Sequence, residues 1–175
     1  MKRLYLIGGA MGVGKTAVGQ RLKELCDRSV FLDGDWCWDA HPFQVTEETK
    51  RMVMDNICTL LGNFLRCSAY ETVIFCWVMH QQAILDALYT RLPTENCRVY
   101  AVSLLCSEET LIQRLKKDVD AGLRTPDVIS RSLERLSHYS SLHTIPIDTE
   151  HRTVEQVAQA LRALEFDNPT EEAGR

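Results

Sequence analysis

At 175 residues the chain is long enough for one domain with a full core, and its 45% hydrophobic and 25% charged residues are ordinary for a globular protein. A net charge of −4 gives the surface as a whole no electrostatic attraction for nucleic acid. No apolar run approaches the length of a membrane span, and Met1-Lys2-Arg3-Leu4 enters a strand at once, so neither a span nor a signal peptide is expected. Cys26, Cys37, Cys58, Cys67, Cys76, Cys97 and Cys106 are scattered and contain no C-x-x-C pair. They read as small hydrophobes of a reducing cytosol, not as disulfides or a zinc site, and the protein reads as cytoplasmic.

The first predicted element is an apolar strand over residues 4–7. Residues 9–16 then read G-x-x-x-x-G-K-T and lead into a helix over 15–26 with Val18, Leu22 and Leu25 on one face. This is the phosphate-binding loop of a nucleoside-triphosphate site in the strand–loop–helix setting that the motif requires. Gly9, Gly12 and Gly14 permit the backbone turns that bring successive N–H groups around a polyphosphate, with Ala10, Met11, Val13 and Ala17 filling out the loop. The helix N-terminus adds partial positive charge; Lys15 would bridge the β- and γ-phosphates, and the Thr16 hydroxyl would sit on Mg²⁺.

A short strand over 30–32 ends at Asp33-Gly34-Asp35, followed by a loop carrying Trp36, Trp38, His41 and Pro42. Residues 46–66 form a long helix with Val53, Ile57, Leu60 and Phe64 at helical spacing. Residues 72–77, β-branched and aromatic, form a buried strand, followed by a helix over 81–91 and a fourth strand over 98–105. A helix over 107–119 stacks Ile112, Leu115 and Val119, and residues 120–124 break it. Thr125-Pro126 is expected to open the next helix as cap and first residue. A fifth strand spans 143–147, and the capping box Thr153-Val-Glu-Gln156 starts a last helix ending near 166. The expected fold is therefore α/β, a three-layer P-loop NTPase arrangement with a five-stranded parallel sheet, helices on both faces and a short lid near 117–126. The expected P-loop domain covers 1–167, and 168–175 read as a frayed tail.

Ligands of an open parallel sheet sit outside the carboxyl ends of its strands, where Asp33 and Asp35 lie. Two acids there could serve a magnesium water shell and an acceptor hydroxyl. Arg114, Lys116, Lys117 and Arg124, then Arg131 and Arg135, form a basic segment around the helix break. A transferring phosphoryl group is stabilised by cations supplied from such a closing segment. Arg131, Arg135 and His138 share a helical face opposite Ile129, Leu133 and Leu136, which is either a phosphate-facing stripe or the solvated side of an amphipathic helix. Trp36 or Trp38, and Trp77 with His80, border the same mouth and could stack on a base, a sugar face or a drug.

Phosphate loop, D-G-D after strand two and basic lid after strand four together resemble the small P-loop kinases of the shikimate kinase, gluconate kinase and chloramphenicol phosphotransferase group. The Leu32-Asp33-Gly34-Asp35…His41-Pro42 run looks particularly like gluconate kinase. The chain also resembles bacterial proteins described as nucleotide kinases or tunicamycin-resistance-like. The resemblance implies ATP and Mg²⁺, with Asp33 and Asp35 near magnesium and the acceptor hydroxyl, Arg114 packed on adenine, and the stretch from Thr149 to Arg152 bordering it. Two departures narrow it. The third strand ends in Cys76-Trp77 with no acid, which argues against motor-type ATPases, and no Asn-Lys-x-Asp guanine signature occurs.

The main reading is an ATP:small-molecule phosphotransferase. Thr16 and Asp33 serve Mg²⁺, Asp35 acts on the acceptor, and Arg124 with Arg131 or Arg135 closes over the γ-phosphoryl group. The acceptor is a nucleoside or nucleotide, a sugar acid or an antibiotic-like molecule. The alternative is a nucleotide-binding switch with little or no phosphotransfer; a 5′-hydroxyl polynucleotide kinase is the weakest reading, because the chain is acidic.

Overall fold

A computed structural model of the protein describes residues 1–165, so the frayed tail falls outside the described residues, and the last helix ends at Ala163, short of the expected 166. Five parallel strands lie in the order β2-β3-β1-β4-β5: β1 Lys2–Gly9, β2 Ser29–Asp33, β3 Thr72–Cys76, β4 Cys97–Leu105 and β5 Ile145–Asp148. Strand β1 takes the centre, with Leu4, Tyr5, Leu6 and Ile7 all at most 1% exposed. Strands buried on both faces need apolar residues at successive positions, which is why β1 and β3 read as continuous hydrophobic runs.

The two-residue alternation of side chains divides the core into two layers. Tyr5, Ile7, Ile74, Cys76, Val102 and Leu104 meet helices α1 Lys15–Leu25 and α6 Val154–Ala163 through Val18, Leu22, Val157 and Leu161. Leu4, Leu6, Leu32, Val73 and Phe75 point the other way, against α2 Glu47–Arg66 and α3 Gln82–Arg91 through Val53, Ile57, Leu61, Leu85 and Leu88. A third cluster joins Ala10 of the phosphate loop to Leu111 and Leu115 of α4 Glu108–Asp120 and Val128 of α5 Val128–Leu136, with Tyr139 beside them. Each of the fully buried leucines contributes roughly 1.5–3 kcal/mol on burial. Helix starts follow their caps: Thr46 with Thr49 and Thr153 with Gln156 form capping boxes, and Ser107 accepts from the Thr110 N–H.

Three further local expectations are corrected. Thr125-Pro126 does not open a helix: the Thr125 hydroxyl donates to the Asp127 carboxylate and the Val128 N–H to the Thr125 carbonyl, so 125–127 form a turn and α5 begins at Val128. The buried stripe of α4 runs through Leu111 and Leu115, with Ile112 and Val119 only partly covered, because α4 packs on the phosphate loop and on α5 together. Helix α5 stops at Leu136 and gives way to a 3-10 turn, Ser137–Ser141, so His138 is not on the α5 face that carries Arg131 and Arg135.

Candidate active site

The loop between β1 and α1 holds Gly9, Gly12 and Gly14 at φ of 149°, 85° and 103°, a region that side chains rarely adopt. At Gly12 space adds a second constraint: a Cβ there would lie 2.5 Å from Leu115 Cδ2, because α4 packs directly on the loop. Lys15 Nζ donates to the Ala10 carbonyl at 2.9 Å, folding the ammonium back into its own loop. Burial lowers the Lys15 pKa to about 8, against the opposing pull of Cys76, Asp35 and Asp33. A cation so desolvated is poised to gain from a phosphate anion.

At the end of β2, Asp33 is 6% exposed, and three donors fix its carboxylate. The Thr16 hydroxyl donates to Oδ2 at 2.7 Å, the Cys76 thiol donates to Oδ2 at 3.4 Å, and the Asp35 N–H donates to Oδ1 at 3.1 Å. The last of these caps the 3-10 turn Gly34–Cys37, which aims Asp35 back at the loop. Burial, and then the neighbouring Asp33 charge, raise the Asp35 pKa, against the opposing pull of Lys15 and of the Trp77 side chain. Gly34 is glycine for a steric reason, since a Cβ there would lie 2.4 Å from Cγ of Trp77. Burial and Asp33 push the Cys76 thiol up, keeping it protonated.

A cleft of about 430 Å³ runs over these groups, lined by Met11, Gly12, Gly14, Lys15, Thr16, Ala17, Asp33, Asp35, Val78, Arg114, Lys117, Asp118 and Arg124. Its oxygen donors suit magnesium, which binds through one or two carboxylates and substrate phosphates and not through a protein cage. No group of three or more His, Cys, Asp or Glu side chains that could hold a metal ion occurs among the described residues. Arg114 ties the loop to the β5–α6 connection: Nη1 donates to the Val13 carbonyl at 3.2 Å and to Thr149 Oγ1 at 3.1 Å, and Nη2 donates to the Thr149 carbonyl at 3.1 Å. Beside it lies a second depression of about 310 Å³ that includes Arg114, Thr149, Arg152, Val18 and Val154. From the turn after α4, Arg124 Nε donates to Asp118 Oδ2 at 3.0 Å.

Arg131, Arg135 and the three tryptophans lie outside the lining of the cleft. Arg131 pairs with Asp127 at 2.9 Å on the solvent side, while Arg135 is partly buried and acts on His80 and Tyr139. Trp36, 60% exposed, meets Phe31 edge-on at 5.5 Å. Trp38 packs on Phe43 at 4.5 Å and its backbone N–H donates to the Asp35 carbonyl, while the Trp77 side chain acts on the Asp35 carboxyl. Two lining residues, Val78 and Asp118, carry no motif signal, and Cys76 becomes legible only from the strand register that sets it beside Asp33.

No curated protein matches the chain. Among solved structures, a gluconokinase from Sinorhizobium meliloti 1021 superposes with a TM-score of 0.65 at 19% identity, over 94% of this chain and 96% of its own. The tunicamycin resistance protein of Deinococcus radiodurans gives 0.68 at 19% identity, over 95% and 96%. A shikimate kinase from Acinetobacter baumannii, in complex with shikimate, gives 0.61 at 20% identity, over 98% and 96%. The family model described as AAA domain matches residues 6–124, a span that contains the phosphate loop, Asp33, Asp35 and Arg124. The chain therefore belongs to the AAA domain family and has the fold of the small P-loop kinases.

Proposed function

We propose that the protein is a cytoplasmic, Mg²⁺-dependent kinase that transfers the γ-phosphoryl group of ATP to a hydroxyl of a small molecule. That acceptor is a nucleoside or nucleotide, a sugar acid or an antibiotic-like compound. The observation that carries this reading is a pair of carboxylates in unlike settings beside the Lys15 loop. Asp33 is buried and held by Thr16, whereas Asp35 is turned toward the cleft with its pKa raised. Two acids in such unlike settings suit two different tasks, one with the metal and one with a proton.

Lys15 leaves the Ala10 carbonyl for the β- and γ-phosphate oxygens, joined by the amides of residues 9–17. Thr16 and Asp33 would hold Mg²⁺, which when bound neutralises charge on the phosphates. Asp35 orients the acceptor hydroxyl and takes its proton as the new O–P bond forms and the bond to the β-phosphate bridging oxygen breaks. Arg124 exchanges Asp118 for the γ-phosphoryl oxygens as the lid closes, with Arg131 or Arg135 following. Arg114, Thr149 and Arg152 border the base, and Trp36, Trp38 and Trp77 wall the acceptor.

The test incubates the protein with ATP–Mg²⁺ and a panel of nucleosides, sugar acids and antibiotics and looks for the phosphorylated acceptor by mass spectrometry. One acceptor gains the mass of a phosphoryl group, and Asp35→Asn abolishes the product while the variant stays folded. Full turnover by Asp35→Asn rules out its role as base. ADP release that no acceptor accelerates points to a nucleotide switch.

A further inference from the structure

The strand that lacks an acid at its end carries a thiol there instead, and the sheet register explains why that matters. Asp33 and Cys76 are partners across the parallel β2–β3 pair, and both side chains emerge on the α1 face of the sheet, under Thr16. Cys76 is fully buried, and its thiol donates to Asp33 Oδ2, the same oxygen that accepts the Thr16 hydroxyl. A carboxylate at position 76 would stand against Asp33 within hydrogen-bonding distance, and two like charges so close and so buried oppose each other's ionisation. A thiol at this position is neutral and donates.

We propose that Cys76 is a positioning residue of the metal site, holding the Asp33 carboxylate in place for Mg²⁺. The inference rests on the assignment of Thr16 and Asp33 to the metal. In the structure Oδ2 has two side-chain donors, Thr16 and Cys76; a hydroxyl offers lone pairs besides its proton, so Thr16 can face Mg²⁺ without displacing Cys76 from Asp33. Cys76 on Oδ2 and the Asp35 N–H on Oδ1 give each oxygen a donor that is not itself a metal ligand, which fixes the carboxylate plane. Outer partners of this kind orient a ligand and set its metal affinity without touching the metal. The arrangement lets one acid serve where the third strand contributes none.

The experiment titrates Mg²⁺ against the full chain in the presence of ADP, followed by intrinsic tryptophan fluorescence, with the melting temperature of each ligand-free variant recorded in parallel. Cys76→Ala is expected to raise the half-saturating Mg²⁺ concentration about tenfold, as loss of an outer ligand partner does. ADP binding without Mg²⁺ is expected to stay unchanged. Cys76→Ser, which keeps a donor, is expected to stay within about twofold of the wild type, a difference too small for a lost ligand partner. Cys76→Val fills the space without donating and is expected to behave as Cys76→Ala, which keeps the result readable where Cys76→Ala loses stability. An unchanged Mg²⁺ requirement in Cys76→Ala and Cys76→Val overturns the positioning role alone, and so does Cys76→Ser behaving like Cys76→Val. A wild-type chain whose ADP binding ignores Mg²⁺ overturns the metal assignment of Asp33, and the positioning role falls with it.

Discussion

Thr16 Oγ1 donates to Asp33 Oδ2 across 2.7 Å, linking the start of α1 to the end of β2 at the floor of the cleft. The bond joins a residue of the phosphate loop to an acid seventeen positions away in sequence, and it stands where a hydroxyl and a carboxylate can share one hard cation. Asp33→Asn is therefore expected to weaken Mg²⁺-dependent nucleotide binding by at least about tenfold, the scale of a disturbed metal site. Isothermal titration with ADP, with and without Mg²⁺, measures the effect. Equal Mg²⁺ dependence in the two proteins would remove Asp33 from the metal site.

Lys15 bears the clearest mark of a residue kept for binding at the expense of stability. Burial brings its pKa down to about 8, so the folded protein carries a partly desolvated ammonium whose hydrogen bond in the structure is to a neutral carbonyl. Lys15→Met is expected to melt no lower than the wild type without ligand and to lose the rise in melting temperature that ATP–Mg²⁺ causes. A thermal-shift series over nucleotide concentration checks both halves.

Gly34 and Trp77 interlock. A Cβ at position 34 would lie 2.4 Å from the indole ring, so Gly34→Ala displaces the side chain that acts on Asp35. The variant is expected to lose about 1–3 kcal/mol of stability, the usual cost of overpacking. Urea denaturation of Gly34→Ala beside the double variant Gly34→Ala/Trp77→Leu tests the cause. Recovery in the double variant identifies the ring as the obstacle.

Arg114 makes three hydrogen bonds, to Val13 and Thr149, that a lysine cannot reproduce with one point-like ammonium. Arg114→Lys is expected to raise the KM for ATP more than it lowers kcat and to cost about 1–3 kcal/mol of stability. A kcat effect larger than the KM effect would place Arg114 in the chemistry and not in nucleotide binding.

His80 stacks on His138 with ring centroids 5.8 Å apart, and burial, with Arg135 and His138 adding to it, lowers its pKa against the pull of the Val78 backbone. The neutral imidazole is thus favoured in the folded state. The stability this contributes is complete above the unfolded histidine value of about 6.5 and is lost as pH falls through that value to the lower folded one. His80→Asn is expected to flatten the drop in melting temperature between about pH 6.5 and pH 5. Melting curves of both proteins across that range, at constant ionic strength, decide it.

The alternation of strands and helices, their parallel arrangement and the phosphate loop were all legible in the sequence. Each is written in local periodicity, in caps such as Thr46, Ser107 and Thr153, and in glycine spacing, and local sterics settle such features within a few residues. The same local signals misread Thr125-Pro126, where a neighbouring carboxylate, Asp127, took the hydroxyl that would have capped a helix. Which side chains meet depends on strand order and register. Only the packing of β2 against β3 sets Cys76 beside Asp33, only the approach of α4 to the loop brings Arg114 to Val13 and Thr149, and only the turn after β3 lays Trp77 over Gly34. These contacts join residues tens of positions apart, and no local propensity encodes them. They exist because the apolar faces of the strands and helices can be buried together in one arrangement, and that arrangement carries the polar groups at the strand ends to their partners.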